Sequence, residues 1–265
     1  MQRFLGRVIS IIARLIGSLL PASKWYSATL RVTGLLLPAF RPIIALSRFR
    51  NDPRKEITQS WLVGIILQRI EYAFEKPFPI PVKTRGAETV FEAWDHPKGV
   101  VICCVHLPLW NMLLRSLVEL NCPPSAILAG QSVIRDGMIS PWGSGVRLPA
   151  LAIDKNIYIK ARGILRRGES IATMIDNGSG GRINVNLLKL IGVLGARAIF
   201  TTIELQASGE ILVRFYNPPD PFCKTDESIK ANIEYYENRI DWVLHGRERT
   251  IETEEEISYR HSEQE

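Results

Sequence analysis

The sequence predicts an α/β fold: a mostly parallel sheet flanked by helices, with an antiparallel edge hairpin and an N-terminal helical appendage. Residues 100–105 are an uninterrupted apolar run, the length and texture of a strand buried on both faces. Further apolar runs alternate with stretches of helical spacing, as they do where helices connect parallel strands. Near the end, residues 206–210 separate two strand-like runs and indicate a hairpin.

The N-terminal segment, residues 1–82, is predicted to be helical and to associate with a membrane. Most of residues 4–20 are apolar, and a stripe at helical spacing consists of Arg3, Arg7, Ser10, Arg14 and Gly17. Arginines on one face shorten the apolar run below the roughly 20 residues of a membrane span. A basic amphipathic helix lying in the interface is therefore favoured. The alternatives are a signal peptide and a helix packed on its own domain.

The rest of this segment also indicates helices. Pro38 and Pro42 interrupt the apolar residues 30–47 and predict two short helices. Residues 57–74 keep helical spacing. The three prolines between residues 77 and 81 then predict an extended connector.

Residues 83–249 are predicted to form the α/β domain. After the strand at 100–105, Pro108 stands at a favourable first helical position. Further strands are expected at residues 125–128, 170–175, 198–205 and 211–216, and further helices at 155–167, 184–194 and 229–243. Residues 131–149 are expected to form a loop rich in Gly and Ser, and the acidic residues 250–265 a disordered tail.

Composition narrows the choice of partners. The chain has 265 residues and a net charge of +6, yet residues 252–265 carry six acids against one arginine, so the body is more basic than the total suggests. A basic body suits membrane phospholipid or an acidic carrier protein. No nucleic acid is expected, because no motif for it and no basic run with interleaved aromatics is present. The four cysteines form no C-x-x-C pair and indicate reduced, buried residues in a cytosolic compartment.

His106 directly follows the apolar run at 100–105 and is the candidate catalytic residue. In open α/β sheets ligands bind at the carboxyl ends of the strands, and histidine is the usual general base near neutral pH. The alternative is a structural histidine in the core or at the end of a strand.

Cys104 shares a face with His106 and could serve as a thiol nucleophile, but an apolar run raises thiol pKa values, so core packing is favoured. No metal site is expected, because the Cys and His spacings match no common ligand pattern.

Three segments resemble those of the lysophospholipid-acyltransferase-like superfamily, in its lipid A late (lauroyl/myristoyl) acyltransferase branch. His106 and Asn111 fall on the two positions of the H-x4-D/E motif, here as H-x4-N. Residues 167–177 are similar to a strand segment that ends in Asp-Gln, here Asp176 and Asn177. The W-x-x-H-x-R ending is matched by Trp242, His245 and Arg247. The resemblance covers residues 85–247 and keeps the order of the segments.

The resemblance implies a membrane-associated acyltransferase on the cytoplasmic face of the inner membrane, peripheral or monotopic. It would move a fatty acyl group from an acyl carrier protein or a CoA thioester to a hydroxyl or amine on a membrane lipid. Acyl-ACP or acyl-CoA would be the donor substrate, with no bound cofactor. His106 would be the base and Asn111 its orienting partner. Because an amide cannot stabilise the imidazolium by charge, either a slower base or help from Asp176 or another acid is expected, and Asn111→Asp is expected to keep or raise activity.

The resemblance also implies an arginine that contacts an anionic substrate in the loop at 131–149. Arg147 is preferred over Arg135, since Gly143 and Gly145 would let a ligand approach the backbone. Each arginine could equally be a solvated surface charge.

Asp176 and Asn177 are the remaining substrate-binding candidates, and the alternative for Asp176 is a helix cap.

The alternative to an enzyme is a non-catalytic lipid-binding or assembly protein that kept the acyltransferase fold after losing the acid of the motif.

Overall fold

The computed structural model describes residues 2–47, 55–176 and 183–245. Eight strands lie within these residues: β1 (Val82–Arg85), β2 (Val100–Cys104), β3 (Ala126–Ala129), β4 (Met138–Ile139), β5 (Leu148–Ala152), β6 (Ser170–Met174), β7 (Arg197–Leu205) and β8 (Ile211–Tyr216). The α-helices are α1 (Gln2–Leu19), α2 (Trp25–Ser47), α3 (Lys55–Phe74), α4 (Ala87–Trp94), α5 (Asn111–Glu119), α6 (Ile157–Arg166), α7 (Val185–Leu194) and α8 (Asp226–His245).

The strands form one mixed sheet in the order β1-β8-β7-β2-β6-β3-β5-β4. The predicted α/β class and mostly parallel sheet are confirmed. β2 lies between β6 and β7 and is parallel to both, and all five of its residues are buried. The predicted hairpin is β7–β8, which is antiparallel, but β1 pairs with β8 on its outer side, so the hairpin lies one strand inside the edge. At the opposite edge, β4 pairs antiparallel with β5.

Helices cover both faces of the sheet. The connection from β2 to β3 through α5 runs across the sheet in the opposite direction to the connections through α6 and α7. Because parallel crossovers are right-handed, α5 lies on one face and α6 and α7 on the other. α3 packs on β7 and α5 on β7, β8 and β1, while α8 packs on β7 and against α7, which in turn contacts α6. Both faces of the central strands are therefore buried.

The structure departs from the sequence expectations in several elements. Residues 30–47 do not form two short helices, because a single helix, α2, continues past Pro38 and Pro42 while it packs along α3. β1 follows the proline-rich connector, where no strand was predicted. The predicted loop at 131–149 contains β4 and the first residues of β5.

The N-terminal helices are part of the main core rather than an appendage. Ile9, Ala13 and Ile16 of α1 are buried in the same hydrophobic cluster as the sheet. Gly17 lies against the ring of Phe74, so any side chain there would overlap the ring. The predicted boundary between residues 82 and 83 falls inside β1. Among the described residues, no helix is both long enough and apolar enough to cross a membrane.

Candidate functional site

The candidate site lies where β2 and β6 end at the carboxyl edge of the sheet. These strands are paired in parallel with Cys104 opposite Met174, so the residues two positions further on, His106 and Asp176, emerge side by side. Nδ1 of His106 lies 2.7 Å from Oδ1 of Asp176. The same carboxylate oxygen accepts the backbone N–H of His106 at 3.1 Å. Strand register thus brings together two residues that are seventy positions apart.

The two side chains of this pair differ in exposure. The carboxylate side chain of Asp176 is 4% exposed, whereas the imidazole of His106 is 42% exposed. An ionised carboxylate only accepts hydrogen bonds, so with Asp176 ionised the proton of a neutral imidazole lies on Nδ1. Nε2, the ring nitrogen that does not face Asp176, then carries the lone pair. This is the arrangement that a general base requires.

Asp176 is not a helix cap, which was its alternative role. The N-terminus of α7 is capped by Asn184, whose side-chain oxygen accepts the backbone N–H of Asn186 at 3.0 Å. Asn177 lies outside the described residues.

Asn111 is not the partner of His106, contrary to the expectation from the H-x4-N motif. It is 2% exposed at the start of α5. Its Oδ1 accepts the backbone N–H of Trp142 at 2.6 Å, and its Nδ2 donates to the carbonyl oxygen of Ser140 at 3.3 Å. Both ends of the amide are therefore engaged by the chain at 140–142, and Asn111 holds that loop in place.

Arg115 and Glu71, which no sequence motif marks, hold the same loop. Arg115 donates from Nη1 to the carbonyl oxygens of Trp142 and Phe78, at 2.9 and 3.1 Å. A carboxylate oxygen of Glu71 accepts the backbone N–H of Gly143 at 2.9 Å. Burial raises the pKa of Glu71, although the Gly143 hydrogen bond opposes the shift. No local sequence signal identifies these contacts, because they join residues from α3, α5 and the loop.

The structure brings the two predicted arginines together. Nη2 of Arg147 donates to the carbonyl oxygen of Arg135 at 3.2 Å and lies 3.4 Å from a carboxylate oxygen of Asp136. The guanidinium of Arg135 stacks 3.9 Å above the ring of Tyr72 and lies 3.7 Å from the carboxylate of Glu75. Both arginine side chains are about half exposed. Each is available to an anion, but each also has an acid beside it.

Gly143 and Gly145 of this loop serve the protein's own packing rather than the approach of a ligand. A Cβ at Gly143 would lie 2.5 Å from the carbonyl oxygen of Phe78 and 2.8 Å from Nη1 of Arg115. A Cβ at Gly145 would lie 2.9 Å from Pro77. The reason given for preferring Arg147 was therefore wrong.

A thiol nucleophile at Cys104 does not fit this site. The side chain is buried, and burial raises the pKa of the thiol to about 12. Sγ donates to the carbonyl oxygen of Val105 at 3.2 Å. At neutral pH this thiol stays protonated and serves as core packing.

Of the W-x-x-H-x-R segment at residues 242–247, the structure describes only the residues up to His245. Trp242 packs under the guanidinium of Arg214, 4.7 Å from its ring centroid, and Arg214 pairs with Glu204 at 2.9 Å. Trp242 therefore stabilises the contact between α8 and β8. The side chain of His245 and all of Arg247 lie outside the described residues.

Comparison of the sequence with family models and with curated proteins finds no match.

Proposed function

We propose that the protein is an acyltransferase that moves a fatty acyl group from an acyl carrier protein or CoA thioester to a hydroxyl or amine acceptor. The observation that supports this most is the 2.7 Å contact between Nδ1 of the 42% exposed imidazole of His106 and the sheltered carboxylate of Asp176. This pair supplies both a base and the charge that stabilises its protonated form. The sequence resemblance supports acyl transfer among the reactions that such a pair can assist.

The proposed reaction uses His106 twice. Nε2 takes the proton of the acceptor hydroxyl or amine as its oxygen or nitrogen forms a bond to the thioester carbonyl carbon. Asp176 stabilises the imidazolium and holds the ring through two hydrogen bonds. When the tetrahedral intermediate collapses, the carbon–sulfur bond breaks, and the imidazolium returns its proton to the leaving thiolate.

The neighbouring loop is the proposed acceptor site. Arg147 and Arg135 are half exposed and lie side by side, which suits a phosphate or another anionic group on a lipid. Asp176 and Asn177 complete the proposed substrate-binding set. Asn111 acts as a positioning residue, because it fixes the loop at 140–142 without contacting His106.

The exposed face of α1 supports a peripheral position on the membrane. Ile11, Leu15 and Leu19 are 58%, 52% and 74% exposed and follow one another at steps of four, so they form one outward stripe. Arg7 and Arg14 are exposed beside this stripe. An apolar stripe bordered by arginines fits the interface of an anionic bilayer, as on the cytoplasmic face of the inner membrane.

The test is a transfer assay on pure protein with acyl carrier and CoA thioesters and a lipid extract, with products identified by mass. We expect acylated lipid from the wild type. His106→Ala should lower the rate by about 10²–10⁴, the usual contribution of a general base. Asp176→Asn should lower it by a similar factor, since the amide supplies no charge to the imidazolium.

The matched control is His96→Ala, because His96 lies outside the site and contacts Phe222. If wild type and a folded His106→Ala variant have equal rates, His106 is not the base. The rival function, that of a non-catalytic lipid-binding or assembly protein, would then be favoured. Binding of radiolabelled lipid without any product would support that rival directly.

A further inference from the structure

The outer face of α6 carries an exposed strip of positive charge. Ile159, Arg162 and Arg166 follow one another at steps of three and four, so they share the side of α6 that points away from the core. Ile159 is 72% exposed, although isoleucine is usually buried. Lys155 and Lys160 are exposed at the start of this strip. We call these five residues the basic α6 surface.

Much of the charge on this surface is not neutralised. Lys160 pairs with Asp154 at 2.7 Å. Arg162 and Arg166 form no ion pair with any residue that the structure describes, and the same holds for Lys155. Three free cations around an exposed isoleucine indicate a surface for an acidic partner that also has apolar side chains.

α8 brings the C-terminal part of the chain towards this surface. α8 runs alongside β7 in the same direction as the strand. Tyr236 donates to the carbonyl oxygen of Thr201, and further along the helix Trp242 packs on Arg214 beside Glu204. α8 therefore ends at the carboxyl edge of the sheet, the same edge at which β5 leads into α6.

We infer that the acidic residues 252–265 bind the basic α6 surface of the same chain. α7 separates α8 from α6, and two helix spacings amount to about 20 Å. The seven residues from His245 to Glu252 span at most about 23 Å when extended, which is enough to reach. The segment carries six acids against one arginine, and it offers Ile257 and Tyr259 to the exposed Ile159.

The tether favours this occupant over a separate acidic protein. A connection of only seven residues holds the segment at an effective concentration of about millimolar, so weak charge contacts suffice.

The experiment is zero-length carbodiimide crosslinking of the full-length protein at low salt, with peptides identified by mass. Carbodiimide joins carboxylates to amines that are in contact, so we expect amide links from Glu252–Glu256 to Lys155 and Lys160. Arg162→Glu combined with Arg166→Glu should reduce their yield at least about threefold, and about 0.5 M salt should do the same by screening.

The matched control carries the same change of charge elsewhere. Lys224→Glu combined with Lys230→Glu alters exposed lysines near the start of α8 and should leave the links unchanged. Absence of links to Lys155 and Lys160, or links unaffected by the arginine changes, would overturn the inference. Links between isotopically distinct copies would also overturn it and would assign the surface to a second chain. Because the readout does not use acyl transfer, it is independent of the proposed activity.

Discussion

At the scale of single residues, the proposed base and its acid come from different parts of the sequence. His106 finds its carboxylate seventy positions away in Asp176, because β2 and β6 are paired with Cys104 opposite Met174. The residue five positions after the histidine, Asn111, is instead buried and binds the loop at 140–142. Its two hydrogen bonds require one acceptor and one donor, which an amide provides and a carboxylate does not.

Asn111→Asp should therefore destabilise the protein, opposite to the expectation from the motif. The carboxylate would lose the bond to Ser140 and face its carbonyl oxygen, a buried repulsion that costs about 1–3 kcal/mol in the free energy of unfolding. Denaturant unfolding measures this. The control is Asn217→Asp, an exposed position whose side-chain oxygen already accepts from Arg197. Higher activity with unchanged stability in Asn111→Asp would restore Asn111 as the partner of His106.

At the scale of elements, α1 has two apolar sides with different roles. Ile9, Ala13 and Ile16 face α3 and the core, whereas Leu15 and Leu19 face outward. Deleting α1 would expose the core, so its proposed membrane role has to be tested by substitutions on its outward side. This division also explains why one amphipathic pattern fitted both a membrane helix and a packed helix.

Leu15→Glu combined with Leu19→Glu should weaken binding to anionic vesicles at least about tenfold, because burying each leucine in an apolar environment is worth about 1.5–3 kcal/mol. The melting temperature should change little, since both side chains are more than half exposed. Vesicle co-sedimentation measures the binding. Val193→Glu, at an 84% exposed position on α7, is the control. Unchanged sedimentation of the double variant would contradict an interfacial role for α1.

At the scale of the whole molecule, a buried polar cluster joins the N-terminal helices to the α/β body. Glu71 of α3 and Arg115 of α5 both bind the loop that precedes β5, at Gly143 and Trp142. α3 also packs closely against the chain that follows His106. A Cβ at Gly64 of α3 would lie 2.5 Å from the carbonyl oxygen of Pro108. The helical layer therefore supports the site directly.

This cluster should make stability depend on pH. Burial raises the pKa of Glu71 above its ordinary 4.5, so the folded state binds this proton more tightly than the unfolded state does. Its contribution to the free energy of unfolding is present at low pH and is lost as pH rises through the interval above 4.5. Glu71→Gln keeps an acceptor for Gly143 and cannot ionise, so its stability relative to wild type should increase with pH.

Urea unfolding of both proteins between about pH 4 and pH 8 measures that difference. Glu237→Gln, at an exposed position on α8, should show no such trend. A constant difference between Glu71→Gln and wild type across this range would mean that the Glu71 carboxyl ionises alike in the folded and unfolded states.

Local sequence patterns determined most of the central elements of this protein, and long-range pairing decided the site. The apolar run of β2, the spacing of α7 and the hairpin at 206–210 were readable because burial imposes a period on neighbouring residues. The continuation of α2 past its prolines was not, since packing along α3 overrides the local preference. Neither was the partner of His106, because the register between β2 and β6 is set by hydrogen bonds across the sheet, and no periodicity within either strand records it.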